Sequence, residues 1–281
     1  MLTTWKTSNM KMSIRMSNRH GFMTKPVLKY FDLGNAVTAF STTRKGGESS
    51  GSYGEFNINC FCGDDLSCIV ANRRSLAQVL GVDEDHIIQS HQTHDTVCRM
   101  ITGNYFQLPV NARKMLLEGV DCVMTNELGV CVGVSTADCI PVLLYDEKHH
   151  AAAAVHAGWR GTVARIVENA VVEMQYGYQT DPKDIKAVIG PGISLYAFEV
   201  GQEVYDEFAH AGFDMSRIAK MYNKWHIDLP ECNRIQLECA GVIPANIYMS
   251  GICTYSQPEE FFSARRLGKE SGRIFTGILL K

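Results

Sequence analysis

The chain has ten cysteines but no C-x-x-C pair. That absence removes zinc ribbons and thioredoxin-type redox motifs from consideration. The first 23 residues are polar and basic and lack the apolar core of a secretory signal. No apolar run approaches the length of a membrane span. With neither feature present, the cysteines read as reduced thiols, mostly core filler, and the expected compartment is the cytoplasm. Nor is there an excess of charge: 20% of residues are charged, ordinary for a soluble globular protein, and the net charge is −3. Such a balance gives no bulk electrostatic reason to expect nucleic acid or an anionic membrane as partner.

What is present is an ordinary apolar fraction, 46%, over 281 residues, a length ample for one sizeable core. The opening segment carries Met10, Met12, Met16 and Met23 without periodicity, so residues 1–24 are expected to form a disordered tail and residues 25–281 the fold. Strands are predicted over 36–41, 86–90, 96–101, 130–134, 140–145, 151–155, 185–189, 246–249 and 273–280. The three central runs are apolar enough to be buried on both faces. One helix should run from a cap at Asp64 or Asp65 to Gly81. Another carries an apolar stripe at Val163, Ile166, Val167, Ala170, Val171 and Met174 and should stop at Gly177. Further helices are expected around Val200, Val204 and Phe208, and from Leu229-Pro230 to Gly241 with Asp228 as cap. Strands and helices interleave without a repeat or a long linker. The predicted class is α/β, a single domain with a mixed β-sheet flanked by helices.

Three clusters place reactive residues at strand ends beside apolar runs: Gln92-Thr93-His94, Thr136-Ala137-Asp138-Cys139, and His156-Ala157-Gly158-Trp159-Arg160-Gly161. Paired strands lie about 5 Å apart. If the strands flanking Cys139 and His156 pair, their side chains can meet at one sheet edge. A thiolate and two imidazoles suit zinc or copper, and three protein ligands leave a coordination position open. A lone cysteine after a buried strand is more often a core thiol, and a lone histidine such as His94 is weak evidence too. Gly158 and Gly161 suggest a constrained helix N-terminus that, with Arg160, can take an anion. Spacing alone leaves the choice open.

The stretches Asp121-Cys122-Val123-Met124-Thr125, Ser135-Thr136-Ala137-Asp138-Cys139-Ile140-Pro141, and His156-Ala157-Gly158-Trp159-Arg160-Gly161 together resemble the laccase-domain family. Its members have been labelled polyphenol oxidase, peptidoglycan editing factor and purine nucleoside phosphorylase. Ser41-Thr42-Thr43-Arg44-Lys45-Gly46-Gly47, Ile189-Gly190-Pro191-Gly192-Ile193, Phe198-Glu199-Val200-Gly201 and Phe261-Phe262-Ser263-Ala264-Arg265-Arg266 continue the match. The resemblance spans roughly Val37 to Leu280. It implies that His94, Cys139 and His156 are metal ligands and catalytic residues, and that the fold differs from that of true multicopper oxidases. Two positions depart from the family pattern: Asp95, where glycine is common, and Tyr196-Ala197, where cysteines are common. Neither is a proposed ligand. His91 sits outside the motif and reads as a neighbour.

The resemblance further implies zinc-dependent purine nucleoside chemistry. The range is phosphorolysis of adenosine, inosine, guanosine and methylthioadenosine, with adenosine deamination beside it. The expected partners are therefore a small nucleoside and phosphate, not nucleic acid or membrane. Arg44 with its Gly46-Gly47 loop and Arg160 are candidate phosphate contacts, Gln92 a further substrate contact, and Arg265 and Arg266 weaker ones. Asp138 and Glu199 are candidate proton carriers. The usual nucleobase deaminase signature, H-x-E with P-C-x-x-C, is absent. Copper-dependent phenol oxidation is less favoured. Coupled copper centres need repeated H-x-H pairs, and the nine histidines here form none, although copper competes well for any nitrogen–sulfur site. A metal-free cysteine hydrolase, with Cys139 as nucleophile and His156 as base, is also compatible with these residues. So is an amidase-type editing role on peptidoglycan precursors. A purely structural binding module is the least favoured.

Overall fold

Alternation along the central strands decides the architecture. The structure, a computed structural model, describes residues 25–281, and the tail expected over residues 1–24 lies outside them. In chain order the elements are β1 (Leu28–Phe31), β2 (Val37–Thr42), α1 (Leu66–Leu80), β3 (Ile87–Gln89), β4 (Cys98–Ile101), α2 (Val110–Leu116), β5 (Cys122–Thr125), β6 (Cys131–Thr136), β7 (Ile140–Asp146), β8 (Ala151–Ala157), α3 (Trp159–Val163), α4 (Ile166–Tyr178), β9 (Ile185–Ile189), β10 (Glu199–Val200), α5 (Gln202–His210), α6 (Met215–Ile218), β11 (Ala219–Met221), β12 (Trp225–Ile227), α7 (Leu229–Cys239), β13 (Ile247–Met249), α8 (Ala264–Leu267) and β14 (Ile274–Leu280).

The strands form two mixed sheets rather than one. The first has the order β1-β2-β14-β6-β3, the second β13-β9-β7-β8-β5-β4, and a small antiparallel sheet, β10-β12-β11, stands apart. In the second sheet, Val123, Leu143, Tyr145, Ala152 and Ala154 point towards the first sheet. There they meet Ala39, Val132, Val134 and Ile278. Their chain neighbours Cys122, Met124, Val142, Leu144 and Val155 point the other way, onto Val167, Val171 and Met174 of α4. On the far side of the first sheet, Phe40, Ile87 and Phe275 pack against Leu76 of α1. Each central strand is therefore buried on both faces, which is why it reads as an unbroken apolar run instead of an alternating one.

Local chemistry sets the helix ends. Asp65 caps α1 by accepting from the Ser67 amide, and Gly81 closes it in the left-handed region at φ 71°. Asp228 caps α7 through the Glu231 amide. The stripe from Val163 to Met174 is not one helix. Arg165, at φ 64°, breaks it into α3 and α4. Its guanidinium anchors that break by donating to Ala211 O at 2.8 Å and lying 3.8 Å over Phe213. Nor does Gly177 stop α4; Gln179 does, in the left-handed region. Gly177 is small because Met100 Cε crowds the place where a Cβ would stand.

Three chain connections meet at one end of the sandwich. The β3–β4 loop and the β6–β7 turn each cross from the first sheet to the second, and β8 ends there and runs into α3.

Candidate metal centre

His156 belongs to the inter-sheet face of β8, opposite Pro141 of β7 in an antiparallel pair. Cys139 lies one residue before β7, so strand pairing brings the thiol to the imidazole. His94 arrives from the β3–β4 loop. One ligand atom from each of the three lies within 4.8 Å of the others, and the two imidazole rings meet edge to face at 4.8 Å. His156 is buried, Cys139 half-buried and His94 exposed, so the group opens to one side.

Two backbone strains shape this convergence. His94 has φ 67° and Asp138, next to Cys139, has φ 88°. Such conformations cost a non-glycine residue about 1–3 kcal/mol each and persist only where surrounding contacts hold them. The Asp138 carboxylate is held by Thr254 Oγ1 at 2.7 Å, Ser263 Oγ at 3.0 Å and the Arg265 amide at 2.7 Å. Asp138 is thus committed to shaping the turn. For His94 the restraint is Asp121, a fully buried carboxylate at the start of β5. Asp121 accepts the backbone amides of Thr93, His94 and Asp95, all at 3.0 Å, and the Nδ1–H of His156 at 2.6 Å. Because a carboxylate only accepts here, His156 must donate from Nδ1, leaving Nε2 as its free donor to a metal.

Electrostatics follow from this packing. Burial works to raise the Asp121 carboxyl, but the His156 hydrogen bond and charge and the loop amides outweigh it and hold the group below its usual range. Burial also opposes ionisation of Cys139, yet the two imidazoles draw its thiol down to about 6. Burial disfavours the charged form of His156, while Cys139 and Asp121 raise it to about 9. The pair is a thiolate beside an imidazolium, ready to exchange its shared proton for a cation. Gly158 makes room. A Cβ there would stand 2.8 Å from His94 Cδ2 and 3.2 Å from Cys139 Sγ. A soft sulfur, two nitrogens and one open side fit zinc, and copper equally well.

The group forms the wall of a cavity of about 430 Å³. Gln92 lines it, but its amide is occupied with Ser135, donating to the carbonyl at 2.9 Å and accepting from the amide at 2.8 Å. His91 lines it too; its Nδ1 pairs with Glu118 at 2.7 Å and its ring stacks on Phe61. Arg44 and Arg160 are not among the lining residues. Arg44 donates to Gly54 O and Pro258 O and lies over Phe262, and Arg160 is exposed over Trp159. Arg265 reaches Glu199 O and Arg266 reaches Tyr255 O. Glu199 is ion-paired with Lys224 at 2.8 Å. The cavity's own cations are Lys269 and Arg273, which sequence reasoning does not single out as site residues. Thr136, also on its wall, has a buried hydroxyl without a partner among the described residues.

The family described as multi-copper polyphenol oxidoreductase laccase matches residues 38–281. The chain belongs to this laccase-like family. Among its relatives is a purine nucleoside phosphorylase of Bacteroides thetaiotaomicron, 44% identical over 87% of this chain and 92% of the relative. Another is adenosine deaminase RL5 from an unknown prokaryotic organism, 42% identical over 87% of this chain and 94% of that protein. Among solved structures, the hypothetical protein YfiH of Bacillus licheniformis superposes with a TM-score of 0.85 at 29% identity, covering 91% of this chain and 97% of its own. YlmD from Geobacillus stearothermophilus superposes at 0.80 with 32% identity over 88% and 92% of the two chains. These laccase-like relatives support an enzyme that processes nucleosides. No helix among the described residues is long and apolar enough to cross a membrane.

Proposed function

We propose that this laccase-like protein is a zinc-dependent purine nucleoside phosphorylase, acting on adenosine, inosine, guanosine and methylthioadenosine with inorganic phosphate. One observation carries the reading: His94, Cys139 and His156 offer three donors within 4.8 Å on the wall of one cavity. The names of the phosphorylase relatives support it.

His94, Cys139 and His156 would hold the metal, which when bound supplies Lewis acidity at the cavity wall. The rest is the work of the chain's own groups. Asp121 fixes the tautomer of His156 and the position of the His94 loop. Lys269 brings positive charge for phosphate, while the Arg273 guanidinium is spent on the carbonyls of Ser271, Gly272 and Lys269. Adenosine deamination is a second activity of the same site, supported by the name of the RL5 relative. The ten cysteines are free thiols, which supports a reducing, cytoplasmic setting.

The Cys139–His156–Asp121 arrangement also favours a metal-free cysteine hydrolase, since thiolate, imidazolium and orienting carboxylate stand in line. The test is substitution followed by a phosphate-dependent assay. His94→Ala, Cys139→Ala and His156→Ala should each lose phosphorolysis. A hydrolase would survive His94→Ala and would not require phosphate.

A further inference from the structure

Two thiols outside the metal group face each other. Cys98 of β4 and Cys122 of β5 are directly opposed in a parallel ladder. Facing Cα atoms of paired strands stand about 5 Å apart, inside the roughly 4.4–6.8 Å that a disulfide spans. Both side chains pack on the α4 side of the sheet, and the Cys122 thiol is hydrogen-bonded to Cys98. Burial and that bond keep the proton on Cys122. Cys98 is the accessible partner. It lies on the last strand of its sheet, half-buried, with its sulfur 3.6 Å from Asn169 Nδ2 of α4. Cys122 is fully buried and is reached through Cys98.

Both strands lead to the metal group. Cys122 follows Asp121, which holds His156 Nδ1 and the amides of residues 93–95. β4 starts at Cys98, at the end of the loop that carries His94. The amides of Asp121 and Cys122 share one acceptor, Val97 O, at 3.0 and 3.1 Å. We propose that Cys98 and Cys122 form a peroxide-driven disulfide that loosens the metal centre. The Cys98 thiolate attacks a peroxide oxygen. An S–O bond forms, the O–O bond breaks, and the leaving hydroxide takes up the proton released by the thiol. The Cys122 sulfur then attacks the Cys98 sulfenic acid. The S–S bond forms as the S–O bond breaks, and the Cys122 proton leaves with that hydroxide. Two thiols lose two electrons, and one peroxide becomes two waters. The sulfurs must close from hydrogen-bond contact to about 2.05 Å. Whichever strand gives way carries part of the centre with it: β4 draws on the His94 loop, β5 on Asp121. This coupling rests on the metal reading above; the disulfide itself does not.

The test treats zinc-loaded wild type, Cys98→Ser and Cys122→Ala with hydrogen peroxide, zinc keeping the Cys139 thiolate coordinated meanwhile. Linked peptides are mapped by mass spectrometry. Zinc affinity is measured by titration before treatment, after it, and after dithiothreitol. In wild type a peptide joining Cys98 to Cys122, two hydrogens lighter than its parts, should appear. Zinc affinity should fall about tenfold or more, the cost of disturbing groups that orient metal ligands, and return with dithiothreitol. Neither variant should lose affinity on treatment, and Cys122→Ala serves if Cys98→Ser fails to fold. No Cys98–Cys122 peptide at a peroxide dose that oxidises the exposed Cys60 and Cys239 overturns the disulfide. A linked peptide with unchanged zinc affinity, or an equal loss in the variants, overturns the coupling. Reduced wild type that takes up no zinc overturns the metal reading and the coupling with it, while the linked peptide still decides the disulfide.

Discussion

The carboxylate of Asp121 and the imidazole of His156 form a fully buried 2.6 Å hydrogen bond, and the same carboxylate oxygen accepts the backbone amide of His94 at 3.0 Å. One side chain thereby orients one candidate ligand and pins the loop that delivers another. Asp121→Asn keeps the shape but removes the charge and one acceptor. By the usual cost of losing an orienting carboxylate, metal affinity should fall about 10–100-fold. Breaking the buried pair should also cost about 3–5 kcal/mol of stability. Metal titration and chemical denaturation measure the two effects. Wild-type values in both would remove Asp121 from this role.

Gly158→Ala isolates the space requirement. The added methyl would sit 2.8 Å from the His94 ring, pushing that imidazole away while β8 and α3 stay in place. Circular dichroism should be unchanged and bound metal lost. A variant with full metal occupancy would mean that the His94 ring can give way at no cost.

In chelated protein, the Cys139 thiol should ionise near pH 6, where an ordinary cysteine needs about pH 8.5. Iodoacetamide modification of Cys139, mapped by mass spectrometry, should be half-maximal near pH 6 and be blocked by zinc. The His156 imidazolium persists to about pH 9. Stability from the pair is therefore confined to that window. The thiolate's contribution is lost as pH falls through 6, and the imidazolium's as pH rises through 9. A modification midpoint near 8.5 would contradict the proposed pairing.

Lys269, which lines the cavity, and Arg44, which sequence alone suggests, should separate in kinetics. Lys269→Ala should raise the phosphate KM about tenfold, the loss of one charge-assisted contact. Arg44→Ala should instead lower the melting temperature, because its guanidinium holds Gly54 and Pro258. A raised phosphate KM in Arg44→Ala with unchanged melting would return that arginine to the substrate.

Much of this is legible in the chain itself. The strands over 140–145 and 151–155 announce themselves as unbroken apolar runs, and caps such as Asp65 and Asp228 follow from local chemistry. Family motifs and strand ends suggest the meeting of His94, Cys139 and His156. The pairing of β7 with β8 is the physical reason that Cys139 and His156 meet. The break at Arg165 is hidden, because it depends on Ala211 and Phe213, which lie far along the chain. So is the division of the strands into two sheets, since periodicity reports burial on both faces but not what covers each face. Residues 104–119 carry no clear pattern, yet contain α2 and the Leu117 carbonyl that holds His91. Asp121 stands out in the sequence only as part of a motif; a charge entering an apolar strand is the signal that it must be paired.

Phosphate-dependent release of hypoxanthine from inosine, measured on the purified protein before chelation, after chelation and after zinc is restored, addresses the account most directly. The account predicts activity that needs phosphate, vanishes with the metal and returns with zinc. Undiminished turnover in thoroughly chelated protein, or turnover indifferent to phosphate, would contradict it.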